Sequence, residues 1–285
     1  MCRLIAVLAT IGYKFHVAGQ IKFGLKFSSR AGQLPCGKIS NKKVPIMKTM
    51  LLVGAAALAL SGSAYAGAGH NALSATGVHG TGHRVIHAPP PGSSTLYDQN
   101  IGDSSYGFFS QTLSSYPQYD EYLADDFVVP SGHTWKVKEV DTTSFYYIGV
   151  GPASSVNVLF WNDNKGLPDS SAPKVECDNI TPTSDVGGAY QIKLPKSCKV
   201  KLKGKGKKGT TYWVTVQANM QSINTSGYWA WQANLSVANN QAAGYWYGGS
   251  VGVNDPKCLT QFETMADCTG QTVDFAFALL GKDKS

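Results

Sequence analysis

The stretch from Gln217 to Asp255 combines aromatic rings with side-chain amides at a density suited to sugar binding. Six Tyr or Trp rings and ten Asn or Gln residues fall within it. Aromatic faces stack on the apolar face of a sugar ring, and amides both donate to and accept from its hydroxyls. We therefore predict an exported protein that binds a glycan or another cell-envelope polymer. The predicted ligand-binding residues are Trp229, Trp231, Tyr245, Trp246 and Tyr247.

The same aromatic residues allow a second interpretation. On a strand, Trp229 and Trp231 share one face while Tyr228 takes the other, and one of these faces must turn towards the core. If the tryptophans form the core and the amides fill turns, no small-molecule site remains. The protein would then be a structural or interaction module of the cell surface or matrix.

Three aspartates are candidates for a calcium site. Asp125 and Asp126 are adjacent, so on a strand they point to opposite faces and cannot form the converging pair of a glycosidase. Asp274 would lie near them if the first and last strands of the fold are neighbours, and hard carboxylate oxygens suit Ca²⁺. The alternative is that these carboxylates cap backbone amides at a strand start.

No arrangement of residues indicates an enzyme. Residues 248–252 fit the G-x-S-x-G pattern of a nucleophile elbow, which needs a strand before it, a helix after it and a histidine further along. The last histidine of the chain is His133, so we predict no catalysis. His70, His79, His83 and His87 lie among glycines and prolines, where a fixed metal geometry is not expected.

Alternating lysines at 199, 201, 203, 205 and 207 would share one face of an extended chain. Such a stripe could meet phosphates, sulfated glycans or nucleic acid. It could also mark an edge strand whose charges prevent pairing with another sheet. Because glycines interrupt the stretch and arginine, the better phosphate ligand, is nearly absent, we favour the edge strand and predict no nucleic-acid partner.

Period-two alternation dominates the chain after residue 95. Val156 to Phe160, Tyr190 to Leu194, Tyr212 to Val216 and Phe275 to Leu279 each alternate apolar residues with others. Further strands are expected at 135–140, 144–148, 227–233 and 243–247. Short strands separated by Gly- and Pro-rich turns, without a sustained helical period, predict an all-β fold. We expect a two-sheet antiparallel sandwich resembling a jelly roll.

Four cysteines follow the leader, an even number that is typical of disulfides in an exported protein. Three pairings are possible, and no C-x-x-C spacing suggests a metal site. We favour Cys177 with Cys198 and Cys258 with Cys268, because neighbouring strands close small loops.

Residues 47–66 have the form of a secretory signal peptide. A basic start, the apolar run Leu51 to Leu60 and the A-x-A ending at Ala66 follow one another, and ten apolar residues are too few to span a bilayer. We predict cleavage after Ala66, a secreted or periplasmic location and no membrane span in the mature chain. Nine of the 25 basic residues precede residue 67, which leaves 16 basic against 18 acidic residues.

These patterns divide the chain into five segments. Residues 1–46 precede the signal peptide and are interpreted as an upstream extension outside the native protein. Residues 67–94 are rich in Gly, Pro and His and predict a flexible linker. The β-sandwich domain is expected over 95–281, with a short tail at 282–285.

One block of sequence resembles a known group. Ala124 to Gly132, followed by Trp135, is similar to the A-D-D-F-x-V-P-x-G-x-x-W block of a loose group of exported bacterial β-sandwich proteins. Residues 160–168 and 209–220 resemble later blocks of the same group, although Asp169 replaces its usual glycine. The resemblance implies the sandwich fold and export, and it implies no activity.

Overall fold

The computed structural model describes residues 77–80, 82–83, 89–117, 120–221, 223–246 and 254–285. Eighteen strands are present in this part of the chain. They are β1 Val78–His79, β2 Ser94–Asp98, β3 Tyr106–Phe109, β4 Gln111–Leu113, β5 Glu121–Val129, β6 Thr134–Thr142, β7 Ser144–Tyr147, β8 Ser155–Asn162, β9 Val175–Ile180, β10 Ser184–Val186, β11 Ala189–Lys193, β12 Val200–Lys203, β13 Thr210–Met220, β14 Tyr228–Asn234, β15 Ala243–Trp246, β16 Glu263–Thr264, β17 Asp274–Phe275 and β18 Phe277–Lys284. Two short α-helices, Ile223–Ser226 and Met265–Thr269, and a 3₁₀ helix, Pro256–Leu259, lie between them.

The strands form three sheets, and the predicted all-β class is confirmed. Sheet I has the order β1-β3-β14-β17, with β7 also pairing with β14. Sheet II has the order β10-β11-β6-β18-β2, with β12 beside β6. Sheet III has the order β16-β15-β5-β13-β8-β9, with β4 parallel to β13. The predicted sandwich is thus confirmed, and sheet I is present as a third sheet.

The main core lies between sheets II and III. The Phe127 ring of β5 stacks on Trp135 of β6 at 6.1 Å between centroids and meets the edge of Phe277 of β18 at 6.3 Å. On β12, Val200 and Leu202 are buried while Lys201 and Lys203 are exposed, so the period-two pattern assigns the inner face correctly. Trp229 and Trp231 of sheet I also belong to this core, and their strand β14 is buried on both faces.

Both predicted disulfides are present. Cys177 pairs with Cys198, and Cys258 pairs with Cys268, with Cα atoms 5.7 and 5.9 Å apart. The first bridge joins β9 to the turn before β12, and the second joins the 3₁₀ helix to the last short helix. The second pair thus closes the segment between these two helices, which carries Phe262.

The structured domain is longer than the sequence indicates. Val78 of β1 is 3% exposed and packs among Phe109, Phe145 and Tyr228, so the prediction of a flexible linker is wrong for this part of 67–94. At the other end, β18 continues to Lys284, beyond the predicted domain end at 281.

In the described part of the chain, no helix has the length and apolarity needed to cross a membrane. The predicted signal peptide, with its expected cleavage after Ala66, lies outside the described residues.

Candidate ligand-binding groove

The two tryptophans expected to bind a ligand are core residues. Trp229 and Trp231 are each 0% exposed, and each indole Nε1 donates to a backbone carbonyl, of Gly188 at 2.7 Å and of Ala276 at 2.9 Å. A ring with both faces packed and its only donor engaged cannot stack on a sugar. The prediction is therefore wrong for these two residues.

Tyr245 is the one predicted ligand-binding residue whose side chain the structure places at a surface. It is half-buried on the outer face of sheet III. Of Trp246, only the backbone is described, and Tyr247 lies outside the described residues. The predicted cluster is thus reduced to a single tyrosine, whose neighbours come from other parts of the chain.

A groove of about 330 Å³ opens beside Tyr245, within the size range of small-molecule sites. Its aromatic side chains come from β5, β8, β15 and the segment before β16. We call this surface the aromatic groove, and its rings are Tyr122, Trp161, Tyr245 and Phe262. Leu159, the turn at 170–173, Glu176 and Thr260 complete its lining.

The four rings are in continuous contact. Tyr122 and Tyr245 are cross-strand partners, with centroids 5.7 Å apart and planes inclined by 19°. Phe262 meets Tyr245 edge-on at 5.9 Å and Trp161 edge-on at 5.2 Å. Trp161 and Phe262 are buried, whereas the two tyrosines are half-buried, so the inner pair supports an outer pair that can meet a ligand.

Buried polar side chains support two of these rings. Gln217, which lies near the Tyr122 hydroxyl, accepts from Asn157 at 3.2 Å and donates to the carbonyl of Glu121 at 2.9 Å. The Trp161 indole donates to the Thr215 hydroxyl at 3.0 Å. Side chains held by such networks lose little freedom on binding, which favours affinity. Because Gln217 is 1% exposed, it supports the side chains of the groove and does not contact a ligand itself.

One carboxylate and a short turn provide polar groups at the groove. Glu176 of β9 is exposed, and slight burial together with the nearby Asp178 raises its pKa. Among the described residues, no hydrogen bond or ion pair engages the Glu176 side chain. Ser170 accepts from the backbone of Phe262 at 3.1 Å and thereby ties the turn to the aromatic rings. An accepting carboxylate beside apolar rings is suited to a ligand that carries hydroxyls.

The three predicted calcium ligands lie close enough to influence one another. Asp125 faces the core, and Asp126 lies on the outer face of sheet III, so the expected opposite orientation is confirmed. Burial raises the pKa of Asp126 to about 7 and that of Asp274 to about 7, and the charge of Asp126 adds to the shift of Asp274. Burial, followed by the charge of Asp274, also raises the pKa of Asp125.

These carboxylates act as hydrogen-bond acceptors for the backbone. Asp125 accepts from Gln99 and from the amide nitrogens of Asp126 and Phe275. Asp126 accepts from the amide nitrogen of Asn240 at 3.3 Å and from its side chain at 2.7 Å.

Asp274 accepts from the amide nitrogen of Ala238 at 2.6 Å, and its second oxygen is buried without a hydrogen bond. Asp126 and Asp274 therefore hold the loop that leads into β15 and its Tyr245.

Calcium binding by Asp125, Asp126 and Asp274 stays a prediction. Within the residues described, no three His, Cys, Asp or Glu side chains converge as metal ligands, and backbone amides already occupy most of the oxygens. We therefore expect calcium chloride to leave the thermal unfolding midpoint within about 1 °C. A true site at about 100 times its Kd would instead add about 2.7 kcal/mol of stability. A calcium-dependent rise of several degrees that Asp274→Asn removes would contradict the hydrogen-bonding role.

The remaining candidates from the sequence are the G-x-S-x-G segment and the histidines, and those that the structure describes do not lie in a catalytic arrangement. The G-x-S-x-G segment at 248–252 lies outside the described residues. The ring of His133 contacts Asp283 at 2.7 Å on the surface, at the end of sheet II. His79 packs edge-on against Tyr106, and His83 forms an isolated bridge with Ser144.

Three of the four groove rings were missed by sequence reasoning. Tyr122, Trp161 and Phe262 lie far apart in the chain, and no local motif links them. One usable signal exists at Trp161, because it falls on the strand face opposite Val158 and Phe160 of the core. Comparisons of the chain with protein-family models, with curated proteins and with solved structures find no match.

Proposed function

We propose that the protein is an exported, non-catalytic β-sandwich that binds a glycan in the aromatic groove. The observation that carries the proposal is a pair of half-buried, nearly parallel tyrosines, Tyr122 and Tyr245, supported by buried rings and flanked by the carboxylate of Glu176. Rings of this kind cover the apolar face of a sugar, and the carboxylate accepts from its hydroxyls. The binding surface thus uses tyrosines of two paired strands.

Export is supported by three features. The leader ends in an A-x-A site, both described cysteine pairs form disulfides, and the Ala124 block resembles exported sandwich proteins. A secreted or periplasmic protein meets glycans and cell-envelope polymers directly. We infer that such a polymer is the ligand.

A glycan array tests the proposal. We expect the wild-type chain to bind a defined set of glycans. Tyr122→Ala should weaken this binding by about tenfold or more, since truncating a central aromatic contact costs about 1.4 kcal/mol or more. The matched control is Tyr116→Ala, because Tyr116 is 41% exposed and is not part of the groove.

Two outcomes of the array would contradict the proposal. One is a wild-type chain that binds no glycan. The other is equal loss of binding in Tyr122→Ala and Tyr116→Ala while both variants unfold at the wild-type temperature.

One observation favours the alternative, a structural or interaction module without a small-molecule site. The five described tryptophans, at positions 135, 161, 213, 229 and 231, are all buried. Under this alternative, Tyr122 and Tyr245 would serve a protein contact, and Tyr122→Ala would leave every glycan signal unchanged.

A further inference from the structure

The outer face of sheet II carries lysines on three neighbouring strands. Antiparallel partners lie on one face, and the register sets Lys201 of β12 opposite Lys136 of β6, which lies opposite Lys282 of β18. Two residues further along these strands, Lys203 of β12 and Lys284 of β18 lie on either side of Thr134 of β6. We call these five residues the lysine face. All five are exposed, and the alternating positions on β12 are buried in the core.

Edge protection does not account for all of the lysine face. Charges on an edge strand prevent pairing with another sheet, and β12 is such a strand, since it pairs only with β6. Lys136, however, lies on the central strand β6, where it is paired with Lys201 of β12 on one side and with Lys282 of β18 on the other. Lys282 lies just beyond the part of β18 that pairs with β2, so edge protection accounts for Lys282 but not for Lys136. Like charges directly opposite each other destabilise a sheet, so this arrangement has a cost that edge protection does not require.

The charges of the lysine face are not balanced within the described part of the chain. No carboxylate there lies within 4.0 Å of the five ammonium groups. Of the carboxylates further along the same sheet, Glu139 and Asp141 are buried, with Gln191 donating to Glu139 at 2.8 Å. Asp98 is exposed, but it lies at the other end of the sheet, opposite Ala278 of β18. Burial and the neighbouring Glu139 raise the pKa of Asp141 to about 7, which reduces its negative charge at neutral pH.

We propose that the lysine face binds an anionic polysaccharide. Adjacent strands lie about 4.8 Å apart and alternate residues of a strand about 6.6 Å apart, so the backbone positions of the five lysines form a regular array from which the exposed side chains extend. A linear polymer that bears repeated carboxylates or sulfates can lie across this array and pair with several lysines at once. This site is separate from the aromatic groove, which lies on the outer face of sheet III.

Other polyanions fit this face less well. Arginine is absent after position 84, and its guanidinium fork is the better ligand for the phosphates of nucleic acids. None of the exposed large apolar side chains belongs to the lysine face, so it offers neither rings for base stacking nor groups for membrane insertion.

Retention on immobilised polymers tests the proposal with the full chain. The probes are dextran sulfate and alginate, with neutral dextran, duplex DNA and anionic vesicles as comparisons. The test variant is Lys136→Gln/Lys201→Gln/Lys282→Gln. The control variant, Lys165→Gln/Lys174→Gln/Lys257→Gln, loses the same charge at exposed positions elsewhere.

We expect wild type and control to bind dextran sulfate or alginate but not neutral dextran, with affinity falling on the order of tenfold between about 50 and about 200 mM salt. The test variant should bind at least about tenfold more weakly. Equal binding by test and control variants would overturn the proposal, as would tighter binding to DNA or vesicles than to both polysaccharides.

Thermal unfolding gives a second readout that does not depend on the polymer. Lys136→Gln removes two cross-strand repulsions, so it should raise the unfolding midpoint by about 1–3 °C at low salt and by less at high salt. A fall in the midpoint would show that Lys136 stabilises the sheet. It would contradict the inference that repulsion between the lysines lowers the stability of the fold.

Discussion

Trp229→Ala is expected to lower the free energy of unfolding by about 3–5 kcal/mol. The indole is fully buried, its ring stacks on Tyr190 at 5.3 Å, and its Nε1 donates to the carbonyl of Gly188. Alanine would remove this apolar burial, leave a cavity between sheets I and II and deprive the carbonyl of its donor. Urea unfolding followed by circular dichroism measures the change.

Val150→Ala is the control for this measurement. Val150 is 86% exposed, and a surface substitution of this kind shifts stability by less than about 0.5 kcal/mol. If Trp229→Ala cost under about 1 kcal/mol, the indole would not be a core residue. The assignment of Trp229 and Trp231 to the core would then be wrong.

The second large effect is a loss of stability as the pH rises. Burial raises the pKa of Asp126, Asp141 and Asp274 to about 7 each, from an ordinary value near 4. Between these values the folded chain binds more protons than the unfolded chain, so stability falls as pH rises through the window. One net proton costs about 1.4 kcal/mol per pH unit, or about 3–5 °C in the unfolding midpoint.

A neutral variant isolates the source of this pH dependence. Asp141→Asn imitates the protonated carboxyl and keeps a donor towards Glu139. The unfolding midpoint of this variant should therefore vary less than that of the wild type between about pH 5.5 and about pH 8, a range chosen around the raised pKa of about 7. Asp178→Asn, at an exposed position of β9, should keep the wild-type slope. A midpoint that rises with pH in the wild type would contradict the raised pKa values.

Features set by one strand alone were predictable from the sequence. Alternation on β8, β12 and β13 identifies strands because one face of each lies against the main core. The opposite orientation of Asp125 and Asp126 follows from the pleat, and the disulfide pairing follows from short loops. The alternation rule gave no answer for β14, because all seven of its residues are buried and its two faces are therefore equivalent.

Features set by strand pairing were not predictable. The aromatic groove depends on the register that places Tyr122 opposite Tyr245 and on the loop that carries Phe262 to Tyr245 and Trp161. The lysine face depends on the order β12, β6, β18, which unites residues from three separate parts of the chain. The lysines of β12 alone looked like edge protection, and the two lysines of the central strands gave no local signal.

The most direct test compares Tyr122→Ala with Trp229→Phe, a variant that keeps an aromatic ring in the core. For the glycan with the strongest array signal, we expect Tyr122→Ala to raise the Kd by about tenfold or more with little change in unfolding midpoint. Trp229→Phe should lower the midpoint and leave the Kd of the folded chain unchanged. If folded Trp229→Phe lost the glycan while Tyr122→Ala retained it, the ligand would not bind in the aromatic groove.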